Sequence, residues 1–212
     1  TSGFHPGELI VIAGRPSMGK TSLALNLAEQ IAVGGRAPFD PHRGEVPVPV
    51  AFFSLEMSKD AVSQRLISAA AGVDHQRIRT GDLSQHEFAS VKEACATLHH
   101  AALFVDDAPG LTVLQLRARA RRTVHQHHVK CIMIDYLQLL TAPTAGRESR
   151  QNEVAAISRG IKSLARELRV PVICLAQLNR GVENREGNRP RMSDLRESGS
   201  IEQDADAVML LH

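Results

Sequence analysis

Leu9-Ile10-Val11-Ile12-Ala13-Gly14-Arg15-Pro16-Ser17-Met18-Gly19-Lys20-Thr21 begins as an apolar run and ends on the pattern G-x-x-x-x-G-K-[ST]. The run 9–13 reads as a buried strand, and a helix is predicted over 20–33 directly after the pattern. A match flanked by strand and helix is the context that gives this pattern meaning. Its glycines let backbone N–H groups turn inward around a phosphate, and the helix N-terminus adds its positive end. Lys20 can reach the β- and γ-phosphates of a nucleoside triphosphate, and the Thr21 hydroxyl is placed to bind Mg²⁺. The candidate phosphate-binding residues are therefore Gly14, Arg15, Pro16, Ser17, Met18, Gly19, Lys20, Thr21 and, in the first helical turn, Ser22.

Outward from this loop the chain alternates. Strands are predicted at 9–13, 50–54, 103–106, 131–135, 172–176 and 207–211, all apolar on both faces. That pattern fits a parallel sheet covered by helices on both sides. Helices are predicted at 20–33, 59–71, 85–98, 113–125 and 152–168. In the last, Val154, Ile157, Ile161, Leu164 and Leu168 repeat at helical spacing while Arg159, Lys162 and Arg166 fall on other faces. Strand–helix alternation means an α/β fold with right-handed crossovers. Loops are expected at 34–49, 141–150 and 179–191. No internal repeat, low-complexity tract or domain boundary interrupts 1–212.

Composition narrows the function. With 212 residues, 43% of them hydrophobic, the chain can build one domain with a substantial core. Aromatic residues make up 3% and Trp is absent, which argues against a binder that stacks bases on a row of aromatics. A net charge of +2 is too small to argue for nucleic acid by itself. Cys95, Cys131 and Cys174 lack metal-ligand spacing and read as free, buried thiols of a reducing cytosol. The histidine clusters at 99–100 and 125–128 lack a completing carboxylate and read as surface residues. No apolar run reaches the ~20 residues needed to span a bilayer.

Three strand ends carry polar groups on the edge where parallel sheets bind ligands. Asp135 closes the run Cys131-Ile132-Met133-Ile134 and reads either as the magnesium-ordering acid or as a strand-end cap for the next turn. Glu56 follows the strand 50–54; it reads as a base for the water that attacks the γ-phosphate, or as a helix-end charge near Ser58. Gln177 follows 172–176, either as an amide that senses the γ-phosphate or orients water, or as a polar strand end.

Together these pieces resemble the DnaB family of replicative helicases across nearly the whole chain. The resemblance rests on 13–21, on Phe53-Ser54-Leu55-Glu56-Met57, on Ile134-Asp135-Tyr136-Leu137-Gln138-Leu139 and on Gln177-Leu178-Asn179-Arg180. It rests above all on the long run 193–206, which begins Ser193-Asp194-Leu195-Arg196-Glu197-Ser198-Gly199. The resemblance implies a RecA-like P-loop NTPase core that uses ATP and Mg²⁺, in a homo-hexameric ring around single-stranded DNA, moving 5′→3′ in the cytoplasm. Glu56 would be the catalytic base, Asp135 the Walker-type acid, Gln177 the γ-phosphate sensor and Arg65 an arginine near the nucleotide. Arg196, Glu197 and Gly199 match the family's DNA contacts; an ion pair of Arg196 with Asp194 or Glu197 is the structural alternative. A primase and a helicase loader are implied partners.

The stretch 34–49 is longer than the link the family pattern leads one to expect and reads as a surface insertion. The family pattern continues past His212 to an arginine finger, and it includes a helical N-terminal domain and linker. The chain thus reads as one ATPase domain, 1–212, cut from a longer protein. Such a piece is expected to bind ATP, hydrolyse it poorly and stay monomeric. The rival readings are a recombinase or repair ATPase on the same core, which 193–206 disfavours, and an ATP-switched loader with little turnover, which the intact Lys20, Glu56 and Asp135 disfavour.

Overall fold

The computed structural model describes residues 3–34, 47–142, 150–179 and 189–212, with the side chains of 196–199 outside that description. Six strands form one sheet: β1 (Leu9–Gly14), β2 (Val50–Ser54), β3 (Leu103–Asp106), β4 (Cys131–Asp135), β5 (Val172–Gln177) and β6 (Ala207–Leu210). Their order is β3-β2-β4-β5-β1-β6, and every pairing is parallel. The helices are α1 (Lys20–Val33), α2 (Lys59–Ala71), α3 (His75–Thr80), α4 (Gln85–His99), α5 (Val113–His127), α6 (Arg150–Leu168) and α7 (Gly199–Asp204). The α/β class and parallel sheet expected from the sequence are observed.

The strands are apolar up to their C-terminal ends because they feed two cores. Leu9, Val11, Ala13, Ile132, Ile134, Val172, Cys174 and Ala176 face the cluster built with α5, α6 and α7. Ile10, Ile12, Cys131, Met133, Ile173 and Leu175 face the cluster built with α1 and α2. The helices are sorted by travel direction. Connections leaving β1 and β2 run toward the β3 edge, and those leaving β3, β4 and β5 run toward the β6 edge. Right-handed crossovers then put the two sets on opposite faces. The crevice opens beyond the C-terminal ends of β1 and β5, neighbours whose onward connections leave in opposite directions.

Differences from the sequence reading are local. Helix α3 is an addition to the expected elements: Asp74 caps it, Gly81 ends it at φ 74°, and none of its residues is buried, so no apolar period marks it. Helix α6 begins two residues before the predicted start of 152, at Arg150. Cys95 is exposed, not buried, because α4 buries only Ala94. His127 does more than face solvent: its ring stacks on Phe104 at 4.0 Å. The expected loops at 34–49, 141–150 and 179–191 fall mostly outside the described residues. Helices α5 and α6 approach closely, with a Cβ on Gly160 falling 2.6 Å from Val113 Cγ1. Glu167 of α6 accepts from both Arg117 and Arg121 of α5.

Candidate functional site

Strand β1 ends at Gly14, opposite Gln177 of β5. The loop then turns through Ser17 at φ 63° and Gly19 at φ 82°. Gly19 is the N-cap of α1 and offers no side-chain cap. The first-turn N–H groups of the helix have no intrahelical partner and point at whatever fills the loop. Gly14 is closely packed: a Cβ there would lie 3.2 Å from Leu211 Cβ and 3.3 Å from Lys20 Cγ. The stem of Lys20 can therefore pass over the loop floor, and its Nζ donates to the Arg15 carbonyl at 2.7 Å. Burial holds the Lys20 ammonium below its usual pKa, while Asp135 and Glu56 pull the other way.

Asp135 ends β4 across the crevice and is 1% exposed. Thr21 Oγ1 donates to its Oδ2 at 2.8 Å, and its Oδ1 has no partner among the described residues. Burial pushes this carboxyl above the ordinary range; the Thr21 bond lowers it, nearby Glu56 raises it, and Lys20 and Arg65 lower it. A carboxylate beside a hydroxyl at the edge of a cleft is the oxygen chemistry a Mg²⁺ ion uses. Asp135 and Thr21 therefore fit the metal that the sequence implied.

Glu56 sits on a turn fixed from behind. Ser54 Oγ donates to the Met57 carbonyl at 2.7 Å and accepts from Met57 N at 3.2 Å, while Leu55 N donates to the Asp135 carbonyl at 2.7 Å. The next helix, α2, starts at Lys59, whose N–H donates to Asp107 Oδ2 at 2.8 Å. That helix carries Arg65 toward Asp135.

These elements enclose a cleft of about 560 Å³. Pro16, Ser17, Gly19, Lys20, Thr21 and Ser22 form one wall, and Glu56, Arg65, Asp135 and Gln177 lie on the others. Gly14, Arg15 and Met18 do not line it: Gly14 lies beneath Lys20, Arg15 turns its carbonyl to Lys20, and Met18 is 41% exposed. Met57 and Tyr136 line it, although the sequence did not single them out as site residues. Tyr136 directly follows the strand-end acid, a position on the ligand edge that could have flagged it. Gln138 was also missed: it touches the Gln177 backbone and lies in the 3-10 turn Leu137–Leu139.

The side chains of Arg196 and Glu197 lie outside the description, as does the exposure of Gly199. Their backbone belongs to the 3-10 segment Met192–Ser198 and the start of α7. That segment is tied to the end of β5, because Asn179 N donates to the Asp194 carbonyl at 3.1 Å. The Asp194 carboxylate accepts from Arg191 N at 2.6 Å. Among the described residues there is no cluster of three or more His, Cys, Asp or Glu that could hold a metal, and no helix long and apolar enough to cross a membrane.

A family model described as the DnaB-like helicase C-terminal domain matches residues 1–212. The chain is 43% identical over 212 residues to the replicative DNA helicase DnaC of Bacillus subtilis, covering 100% of this chain and 44% of that protein. It is 44% identical over 212 residues to the replicative DNA helicase DnaB of Geobacillus stearothermophilus, again covering 100% of this chain and 44% of that protein. Among solved structures, an ATPase domain matches at TM-score 0.88 and 36% identity, over 99% of this chain and 71% of that one. A DnaB-like replicative helicase, solved in a study of its interactions with primase, matches at TM-score 0.87 and 36% identity, over 98% of this chain and 48% of that one. The chain thus spans less than half the length of these curated relatives.

Proposed function

The chain belongs to the DnaB-like helicase C-terminal domain family, and from that premise we propose that it is the ATP-hydrolysing motor of a replicative DNA helicase. The observation that carries this reading is the Thr21–Asp135 pair beside Lys20, with Asp135 Oδ1 buried and unpartnered in the same cleft. The motor works in a cytoplasmic homo-hexamer that moves 5′→3′ on single-stranded DNA, with ATP bound between subunits. A primase and a loader are its partners in replication.

Mg²⁺ held by Asp135 and Thr21 would offset negative charge on the β- and γ-phosphates. Lys20 exchanges its 2.7 Å bond to the Arg15 carbonyl for a phosphate oxygen. Its low hydration in the cleft strengthens that contact. Glu56, on the rigid Ser54–Met57 turn, accepts the proton of the attacking water. Gln177 donates to the γ-phosphate, and Arg65 adds positive charge from α2. Arg196, Glu197 and Gly199 carry the DNA contact, made to the backbone and hence independent of base sequence.

The test is steady-state ATP hydrolysis and duplex unwinding by the full-length protein, with and without single-stranded DNA. DNA-stimulated turnover together with unwinding supports the motor. Hydrolysis on filaments without unwinding would favour a recombinase. Tight ATP binding with negligible turnover would favour a switched loader.

A further inference from the structure

We infer that Gln138 is a positioning residue that sets the reach of Gln177 toward the γ-phosphate; the inference rests on the role proposed above for Gln177. The last pairing between β4 and β5 is Ile134 with Cys174, whereas β5 continues to Gln177 alongside β1. On its β4 side the end of β5 therefore has no strand to bond to. The Gln138 carboxamide takes that place. Its Nε2 donates to the Gln177 carbonyl at 3.0 Å, and its Oε1 accepts from Gln177 N at 3.2 Å. One side chain thus completes both halves of a missing ladder step. On the opposite side, Leu178 N donates to the Gly14 carbonyl at 3.1 Å. The backbone that carries Gln177 is gripped between the first residue of the phosphate loop and Gln138.

The amide orientation is forced, because an N–H must meet oxygen and a carbonyl must meet NH₂. Glutamine is the residue type that offers both at this length. Gln138 is itself held: its carbonyl accepts from Arg150 Nη2 at 2.6 Å, and Arg150 pairs with the buried Glu153 of α6. Glu153 in turn accepts from Ala142 N at 3.4 Å. The grip on Gln177 is therefore continuous with the foot of α6, so a shift of that helix end would be felt at the γ-phosphate end of the cleft.

The experiment compares the affinities of the full-length protein for ADP and for a non-hydrolysable ATP analogue. It uses wild type, Gln177→Ala, Gln138→Glu and the double variant, with thermal melting as a folding control. Glu keeps the length and the acceptor but loses the donor. Gln177→Ala is expected to weaken the ATP analogue about three- to tenfold while leaving ADP unchanged, as loss of one hydrogen bond implies. Gln138→Glu should do the same in direction, and the double variant should add little to Gln177→Ala. Gln138→Met, which neither donates nor accepts, should match Gln138→Glu and serves if the charged variant fails to fold. A normal ATP/ADP ratio in folded Gln138 variants, with Gln177→Ala altered, overturns the inference alone. A normal ratio in Gln177→Ala overturns the sensor role and the inference together. Loss of folding in both Gln138 variants makes the residue structural and overturns the inference.

Discussion

Asp135→Asn is expected to make the nucleotide-free protein more stable while disabling its metal site. The carboxylate is 1% exposed, and its Oδ1 is buried without a partner. A buried acceptor left unpaired costs about 1–3 kcal/mol, more when charged. The Asn amide removes the charge, and its NH₂ can donate to Thr21 Oγ1, which now donates to Asp135. Taking the low end, because the amide brings hydrogen-bonding needs of its own, the gain is about 1 kcal/mol. For a domain of this size that is about 2–4 °C in Tm. The sign follows from protonation. Burial holds the carboxyl above its ordinary range, so the folded state binds the proton more tightly than the unfolded chain does. The penalty is full above the folded pKa and fades as pH falls through it, so the advantage of Asn is present at neutral pH and lost in acid. The assay is thermal unfolding of both proteins at neutral and acidic pH, repeated with magnesium nucleotide. At a hundredfold excess over Kd, a competent site gains about 2.7 kcal/mol; wild type should gain it and the variant should not. An Asn variant that melts lower than wild type at neutral pH, without ligand, refutes the reasoning. It would mean that the Thr21–Asp135 bond is a structural tie.

Glu56→Gln should keep nucleotide affinity and slow hydrolysis by about 10²–10⁴-fold in single-turnover assays of the full-length protein; a drop of less than severalfold returns Glu56 to the helix-end reading. Gly160→Ala places a methyl 2.6 Å from Val113 Cγ1. Overpacking of about 1–3 kcal/mol then outweighs a helix-propensity gain of about 1 kcal/mol. Denaturant titration should show a net loss that turns into a gain in a Val113→Ala background. Arg196→Ala should weaken single-stranded DNA binding about equally for all sequences and lower the salt slope by about one unit, while a sequence-selective loss would contradict backbone contact.

Legibility in the sequence followed the physics of each element. Strands that feed two cores are apolar up to their C-terminal ends, so Ile132 and Met133 alike signal burial, and all six strands could be placed within a residue. The loop 14–21 was legible because Gly14, Gly19, Lys20 and Thr21 stand at a fixed spacing between an apolar strand and a helix. Helix α3 was not, since its evidence lies in Asp74 and Gly81 rather than in an apolar period. Cys95 was misread because residue type alone suggested burial, whereas α4 turns it to solvent. Gln138 stayed silent because its importance depends on where β4 stops relative to β5, a register that one-dimensional spacing does not encode. Thr21 and Asp135, joined by a hydrogen bond, lie 114 positions apart and meet only through the sheet order.

Strand β1 lies between β5 and β6, and its residues Leu9, Val11, Ile12 and Ala13 have no solvent exposure. In hydrogen-exchange terms its amides are expected to belong to the last cooperative unit to open, with protection near the global unfolding free energy. The phosphate loop is thus hung from the slowest-opening part of the domain. Opening at α3, which buries no residue, should pass without disturbing the anchor of Lys20. Local opening at the rim is therefore expected to leave the shape of the loop 14–21 unchanged.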